Sequence, residues 1–290
     1  MGFMCKANGL PILAKPELEY LADEHTKAFS LYDGKESPGF SVWKFAAFYL
    51  GKKIYFEWLS HNGTYLGLCS FSDGTVLPIY DPDTHKYYLQ EYGADSILLS
   101  KTLESQDQAP GRARFTLMHE CAHHLLHKDY YKRLKASTSG VNIAYSIQKD
   151  QEQAYEKNKT LWKDEDWIEW QANYLASALL MPARRVDRVL EERGYQEDYF
   201  QHVLAGSSER VAYQQLISRL ATAFKVSMTA AKLRLEAIGF ERLPDLQVKK
   251  PDPWLAAWQA PPPQRMTKEE RRWEKIELGW EKKIARERHR

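Results

Sequence analysis

The chain carries the stretch Arg114-Phe115-Thr116-Leu117-Met118-His119-Glu120-Cys121-Ala122-His123-His124-Leu125-Leu126-His127. Within it stands His-Glu-x-x-His, at His119, Glu120 and His123. On a helix, residues four apart lie about 40° from each other around the axis, so both imidazoles point the same way. Together they can bind one zinc ion, with Glu120 beside them in reach of a water. Phe115, Leu117, Ala122, Leu125 and Leu126 give the helix an apolar face to bury. In a chain of this composition the pattern arises by chance only about 0.02 times. Cys121 lies roughly 200° round the helix from His119 and reads as core. His127 extends the ladder one turn beyond the metal, as a surface residue or a support. Arg114 reads as a brace for the helix start.

Two histidines are too few, because a catalytic zinc takes three protein ligands and leaves a fourth position open. The segment Glu169-Trp170-Gln171-Ala172-Asn173 offers the third. Glu169 and Asn173 share a helix face. Glu169 can bind the metal, and Asn173 can accept a hydrogen bond from the far nitrogen of a ligand histidine, fixing its tautomer. Ala172 and Ala176 let this helix approach closely. Asp164, Glu165 and Asp166 are the competing acids.

Around these two helices the pattern reads as α+β. Helices are expected over residues 15–29 and 42–50, with a Gly/Asp/Ser-rich loop between them. From Ile54 onward, short alternating runs at 54–58, 65–71, 76–80 and 96–99 are separated by Asn62-Gly63, Asp73-Gly74 and Asp81-Pro82, which suits hairpins in a small antiparallel or mixed sheet. Residues 106–111 break the pattern before the His-Glu-x-x-His helix. Residues 128–165 are polar and read as a mobile excursion. Helices follow from 166 to 181, from Pro182 to Gly194, and over 208–224 and 227–238. Pro251, Pro253 and Pro261-Pro262-Pro263 then mark a linker. It leads to a helical tail with Trp273, Ile276, Trp280 and Ile284 on one stripe. The expected organisation is an α+β domain carrying both motifs over 1–185, a helical, helix-turn-helix-like module over 186–243 and a linker with a charged tail over 244–290.

Composition narrows the function. The 290 residues carry 41 Lys+Arg against 39 Asp+Glu, a net +2. That excludes coating nucleic acid by bulk charge. The charge is uneven: residues 264–290 hold ten Lys/Arg and six Glu, a net +4, which leaves −2 for the rest. Mean hydropathy is −0.59, and no apolar run reaches the length of a membrane span. The first residues lack the apolar core and cleavage site of a signal peptide. Cys5, Cys69 and Cys121 are too few and too scattered for a disulfide framework. The reading is a cytoplasmic protein.

The same residues carry a family resemblance. The run Arg-Phe-Thr-Leu-Met-His-Glu-Cys-Ala-His-His, with Glu-x-x-Ala-Asn-Tyr-x-Ala-x-x-Leu-Leu-Met-Pro ending at Pro182, resembles the ImmA/IrrE family of zinc metallopeptidases. Similarity extends to Phe45-Ala46-Ala47-Phe48-Tyr49-Leu50-Gly51 and to residues 220–239. The resemblance implies a zincin-like domain with His119, His123 and Glu169 as ligands of Zn2+, Glu120 as general base and Asn173 as support for a ligand. It also implies a protein substrate, a helix-turn-helix transcriptional repressor whose cleavage relieves repression. The stretch between the two motifs is longer and more polar than the pattern. The tail is too short for the sensor domain that some members carry. The rival reading is a DNA-binding or toxin-antitoxin-type regulator with a structural zinc site. Residues 220–239 offer it Thr229, Lys232 and Arg234 on a second helix, a modest basic set.

Overall fold

The computed structural model describes residues 3–34, 38–104, 110–137, 144–148 and 162–243. The chain divides into two units, Met1–Asp245 and Leu246–Arg290. The described residues all belong to the first, so the stripe at Trp273, Ile276, Trp280 and Ile284 lies outside them.

Helix α1 (Lys15–Asp33) starts where Glu17 accepts a hydrogen bond from the Ala14 N–H at 3.0 Å. It ends at Gly34, in the left-handed conformation that suits a helix cap (φ 64°). Its buried stripe is Leu18, Ala22, Thr26 and Phe29. Ser41 caps α2 (Val42–Lys44), which passes into a π-helical turn, Phe45–Tyr49.

Six strands follow: β1 (Lys53–Glu57), β2 (Tyr65–Ser70), β3 (Thr75–Asp81), β4 (Lys86–Tyr92), β5 (Ser96–Ser100) and β6 (Ala144–Gln148). Four form a mixed sheet in the order β1-β5-β2-β6, with β1 and β5 parallel and β2 antiparallel to both its neighbours. β3 and β4 pair as a separate hairpin. All five β5 residues are buried, because alternate side chains enter different cores. Ile97 and Leu99 join the main helical core, whereas Leu98 packs with Leu59, Leu77, Ile79 and Tyr92 of the hairpin side. Gly67 and Cys69 pair with Leu99 and Ile97 and so share the helix-facing side.

Helix α3 (Pro110–Leu126) lies over that side, against α5 (Asp164–Leu180). Ala122, Ala172 and Ala176 are fully buried and allow close approach. Pro182 stops α5. Then come α6 (Ala183–Glu192), α7 (Tyr195–Leu204), α8 (Glu209–Phe224) and α9 (Met228–Ala237). Among the described residues no helix is long and apolar enough to cross a membrane.

Four elements depart from the sequence expectation. Within the stretch read as a mobile excursion, 128–137 is helix α4 (Lys128–Ser137) and 144–148 is β6. The buried face of α4 is built on Tyr130 and Tyr131, whose hydroxyls disguise an apolar stripe. Tyr131 stacks on Phe71, ring centroids 4.4 Å apart. β4 is exposed at every residue but Tyr92, so it has no alternation to read. α7 buries only Tyr199 and Val203.

The α8–α9 pair has the helix-turn-helix outline, but Arg234 does not face solvent. It is 1% exposed and holds Glu19 of α1 through both guanidinium nitrogens, at 2.5 and 2.6 Å, with Nε donating to the Met181 carbonyl. The basic set left to a DNA-reading helix is thinner than the sequence implies. Burial pushes the Glu19 carboxyl up, and Arg234 foremost, with Tyr174 and Lys15, more than offsets it, leaving Glu19 below the usual carboxylate range. A carboxyl depressed on folding stabilises above its unfolded value, about 4.3, and that stabilisation is lost as pH falls through the folded value. Urea denaturation should show Glu19→Gln less stable than wild type near neutrality, with the gap closing in acid. A gap that persists at low pH would contradict this.

Candidate metal centre

Three side chains from two helices converge. Nε2 of His119 and Nε2 of His123 are 2.8 Å apart. Glu169 on α5 reaches them at 3.5 and 3.2 Å. Each of the three offers a ligand atom within 4.8 Å of the others, and all three residues are buried.

The outer nitrogens decide what the inner ones present. Nδ1 of His119 lies 2.9 Å from Oδ1 of Asn173. An amide oxygen only accepts, so this nitrogen carries the proton and Nε2 bears a lone pair. His123 reaches the same state through a longer chain. The Pro11 carbonyl accepts from the Gln171 amide nitrogen at 2.9 Å, which fixes the Gln171 oxygen as the acceptor from Nε2–H of His127 at 3.0 Å. His127 then offers a lone pair on Nδ1, and His123 donates to it from its own Nδ1 at 3.0 Å. Every donor in the chain points the same way and ends on a backbone carbonyl. Burial pushes the imidazoles of His119 and His123 down to about 3, so both stay neutral. Two lone pairs and a carboxylate then meet inside the protein, an arrangement that repels itself without a cation among them. The donor set fits a metal ion.

Glu120 is fully buried. Burial raises its carboxyl well above the usual range and the Glu169 charge adds to that, while the adjacent Cys69 thiol opposes it. The thiol lies against Glu120 without an aligned hydrogen bond, so both carboxylate oxygens are buried and lack a partner. A buried acid left this way is the mark of a reacting group.

The competing acids are engaged elsewhere: Asp164 with Lys6 and Asn8, Asp166 with the Lys163 N–H. Glu165 is exposed. Cys121 is core. His124 packs against Phe71 and takes no part in the three-donor cluster.

Sequence reasoning missed the roles of Gln171, Pro11, Cys69 and Gly67. The His119/His123/His127 ladder was the available signal for the chain through Gln171. Gly67 carried none, because its partner is 53 residues on. A Cβ there would lie 2.5 Å from Oε1 of Glu120 and 2.7 Å from Cγ2 of Thr116. Gly67→Ala should displace the carboxylate at a packing cost of about 1–3 kcal/mol. Peptidase turnover should fall by about tenfold or more while metal content holds. Unchanged turnover would contradict the close fit.

A histidine pair on one helix, a carboxylate from a second and a buried free glutamate define a metallopeptidase-type centre. Residues 102–236 match the family model of Peptidase_M78, the IrrE N-terminal-like domain. Both halves of the donor set, α8 and all but the last residue of α9 fall inside it. A comparison with curated proteins gives no match.

Proposed function

We propose that this protein is a cytoplasmic zinc endopeptidase whose substrate is a helix-turn-helix transcriptional repressor. The observation that carries the peptidase reading is the buried, unpartnered Glu120 carboxylate beside three converging metal donors. Two neutral imidazoles and one carboxylate are the donor chemistry of a catalytic zinc with an open position. Bound there, the ion supplies Lewis-acid polarisation of a peptide carbonyl and of water.

The chain's own residues do the rest. His119 and His123 are held in one tautomer by Asn173 and by the His127–Gln171–Pro11 chain. Glu120 takes a proton from the attacking water and returns it to the leaving amine. Its raised carboxyl suits both halves of that exchange.

The repressor substrate rests on the resemblance to ImmA/IrrE. The rival, a DNA-binding or toxin-antitoxin-type regulator with a structural zinc site, is weakened by the burial of Arg234. The test is incubation of the zinc-loaded protein with helix-turn-helix repressors from the same organism, followed by mass spectrometry. Discrete cleavage fragments, abolished by a chelator, are expected. Salt-sensitive DNA affinity, or a stable complex with an uncleaved partner, would favour the rival instead.

A further inference from the structure

A second concave site lies at the opposite end of α3 from His127. It is a cleft of about 650 Å³ between the residues preceding α2, the first turn of α3 and the α8–α9 corner. That volume is in the range of small-molecule sites. None of the metal-centre residues lines it.

Its charge is one-sided. Arg114 and Lys225 line the cleft, and no carboxylate does among the described residues. Arg114 is 8% exposed. Nη1 donates to the Phe40 carbonyl at 2.9 Å and Nη2 more loosely to the Phe224 carbonyl at 3.5 Å. Nε is buried without a partner. Among the described residues no carboxylate balances this guanidinium, and an unbalanced buried charge is costly. The brace expected from the sequence is present, but two carbonyl contacts leave the charge itself uncompensated.

Two helix starts add to the positive field. Gly111 of α3 and Met228 of α9 both line the cleft. A Cβ on Gly111 would come within 3.0 Å of the Ser227 nitrogen, so the two N-terminal turns touch. Their partial positive ends favour an anion. Ser41 accepts from the Lys44 N–H, which leaves its hydroxyl proton to donate into the cleft. Lys225 holds a left-handed backbone, φ 56°, at a helix cap where glycine is the low-cost residue. Trp43, partly buried, also lines the cleft.

From the buried guanidinium with no carboxylate beside it among the described residues, the paired helix starts and the Trp43 ring at the cleft, we propose that this cleft binds a small phosphate monoester with an apolar body, about the size of a mononucleotide. A planar guanidinium and an ammonium at two helix starts match the three oxygens of a phosphate better than the two of a carboxylate.

The test is calorimetric titration of the full-length, metal-loaded protein with AMP, inorganic phosphate and adenosine. Saturable binding of AMP, weaker binding of phosphate and none of adenosine are expected. The Arg114 Nε–H resonance should shift with AMP. Arg114→Gln removes two contacts to the backbone and can fail to fold, so the deciding variant is Lys225→Glu, at an exposed position. It should weaken AMP by about tenfold or more while leaving circular dichroism, metal content and peptide cleavage unchanged. Chelated protein should bind AMP as the loaded protein does. Absence of saturable binding of both AMP and phosphate, equal affinity in Lys225→Glu, or binding lost with the metal would each overturn the proposal.

Discussion

Glu120→Gln should keep about one metal ion per chain and lose peptide cleavage by about 10²–10⁴-fold, the usual contribution of a positioned general base. The two halves of that result have separate causes. The donors are His119, His123 and Glu169, and Glu120 is not among them, so the ion has no reason to leave. The amide of glutamine fills nearly the same space against Gly67 and Thr116 but cannot accept a proton from water. Because neither carboxyl oxygen has a hydrogen-bond partner to lose, the substitution should not destabilise the fold. Loss of metal together with activity would move Glu120 into the donor set. Full activity would remove it from the mechanism.

His127→Ala should weaken metal binding by about 10- to 100-fold although His127 touches no metal position. The reason is the direction of the hydrogen-bond chain. His127 supplies a lone pair that holds the proton of His123 on Nδ1, and it takes its own orientation from Gln171 and the Pro11 carbonyl. Without it, His123 can place its proton on Nε2, where the metal should be, and the Gln171 oxygen is left buried and unsatisfied at a cost of about 1–3 kcal/mol. Excess zinc should restore most of the cleavage, with turnover at saturating metal near the wild-type value. Gln171→Leu should show the same pattern more weakly. A fall in turnover that excess zinc does not rescue would mean that His127 acts on the substrate instead.

The metal centre was legible because it is built from local arithmetic. His119 and His123 are one helical turn apart, as are Glu169 and Asn173, and each pair is read along a single helix. Arg114 was readable as a brace at the helix start, but its partners, the Phe40 and Phe224 carbonyls, lie 74 and 110 residues away and could not be named from the sequence. Gly67 and Cys69 sit on a strand of another layer, and their closeness to Glu120 follows from strand register, which the sequence does not print. The strands that alternate cleanly, β1 and β3, were visible. β4 was not, since both its faces meet solvent, and the tyrosines of α4 carry apolar rings behind polar names. Arg234 misled for the opposite reason: a basic residue on a second helix resembles a nucleic-acid contact until its carboxylate partner, 215 residues away on α1, is seen.

The donor set can be tested with elemental analysis of dialysed protein by inductively coupled plasma mass spectrometry, comparing wild type, Glu120→Gln and Glu169→Ala. The predicted result is about one zinc per chain in the first two and a large loss in the third. Equal zinc in Glu169→Ala, or none in the wild type after zinc loading, would contradict a metal centre made of His119, His123 and Glu169.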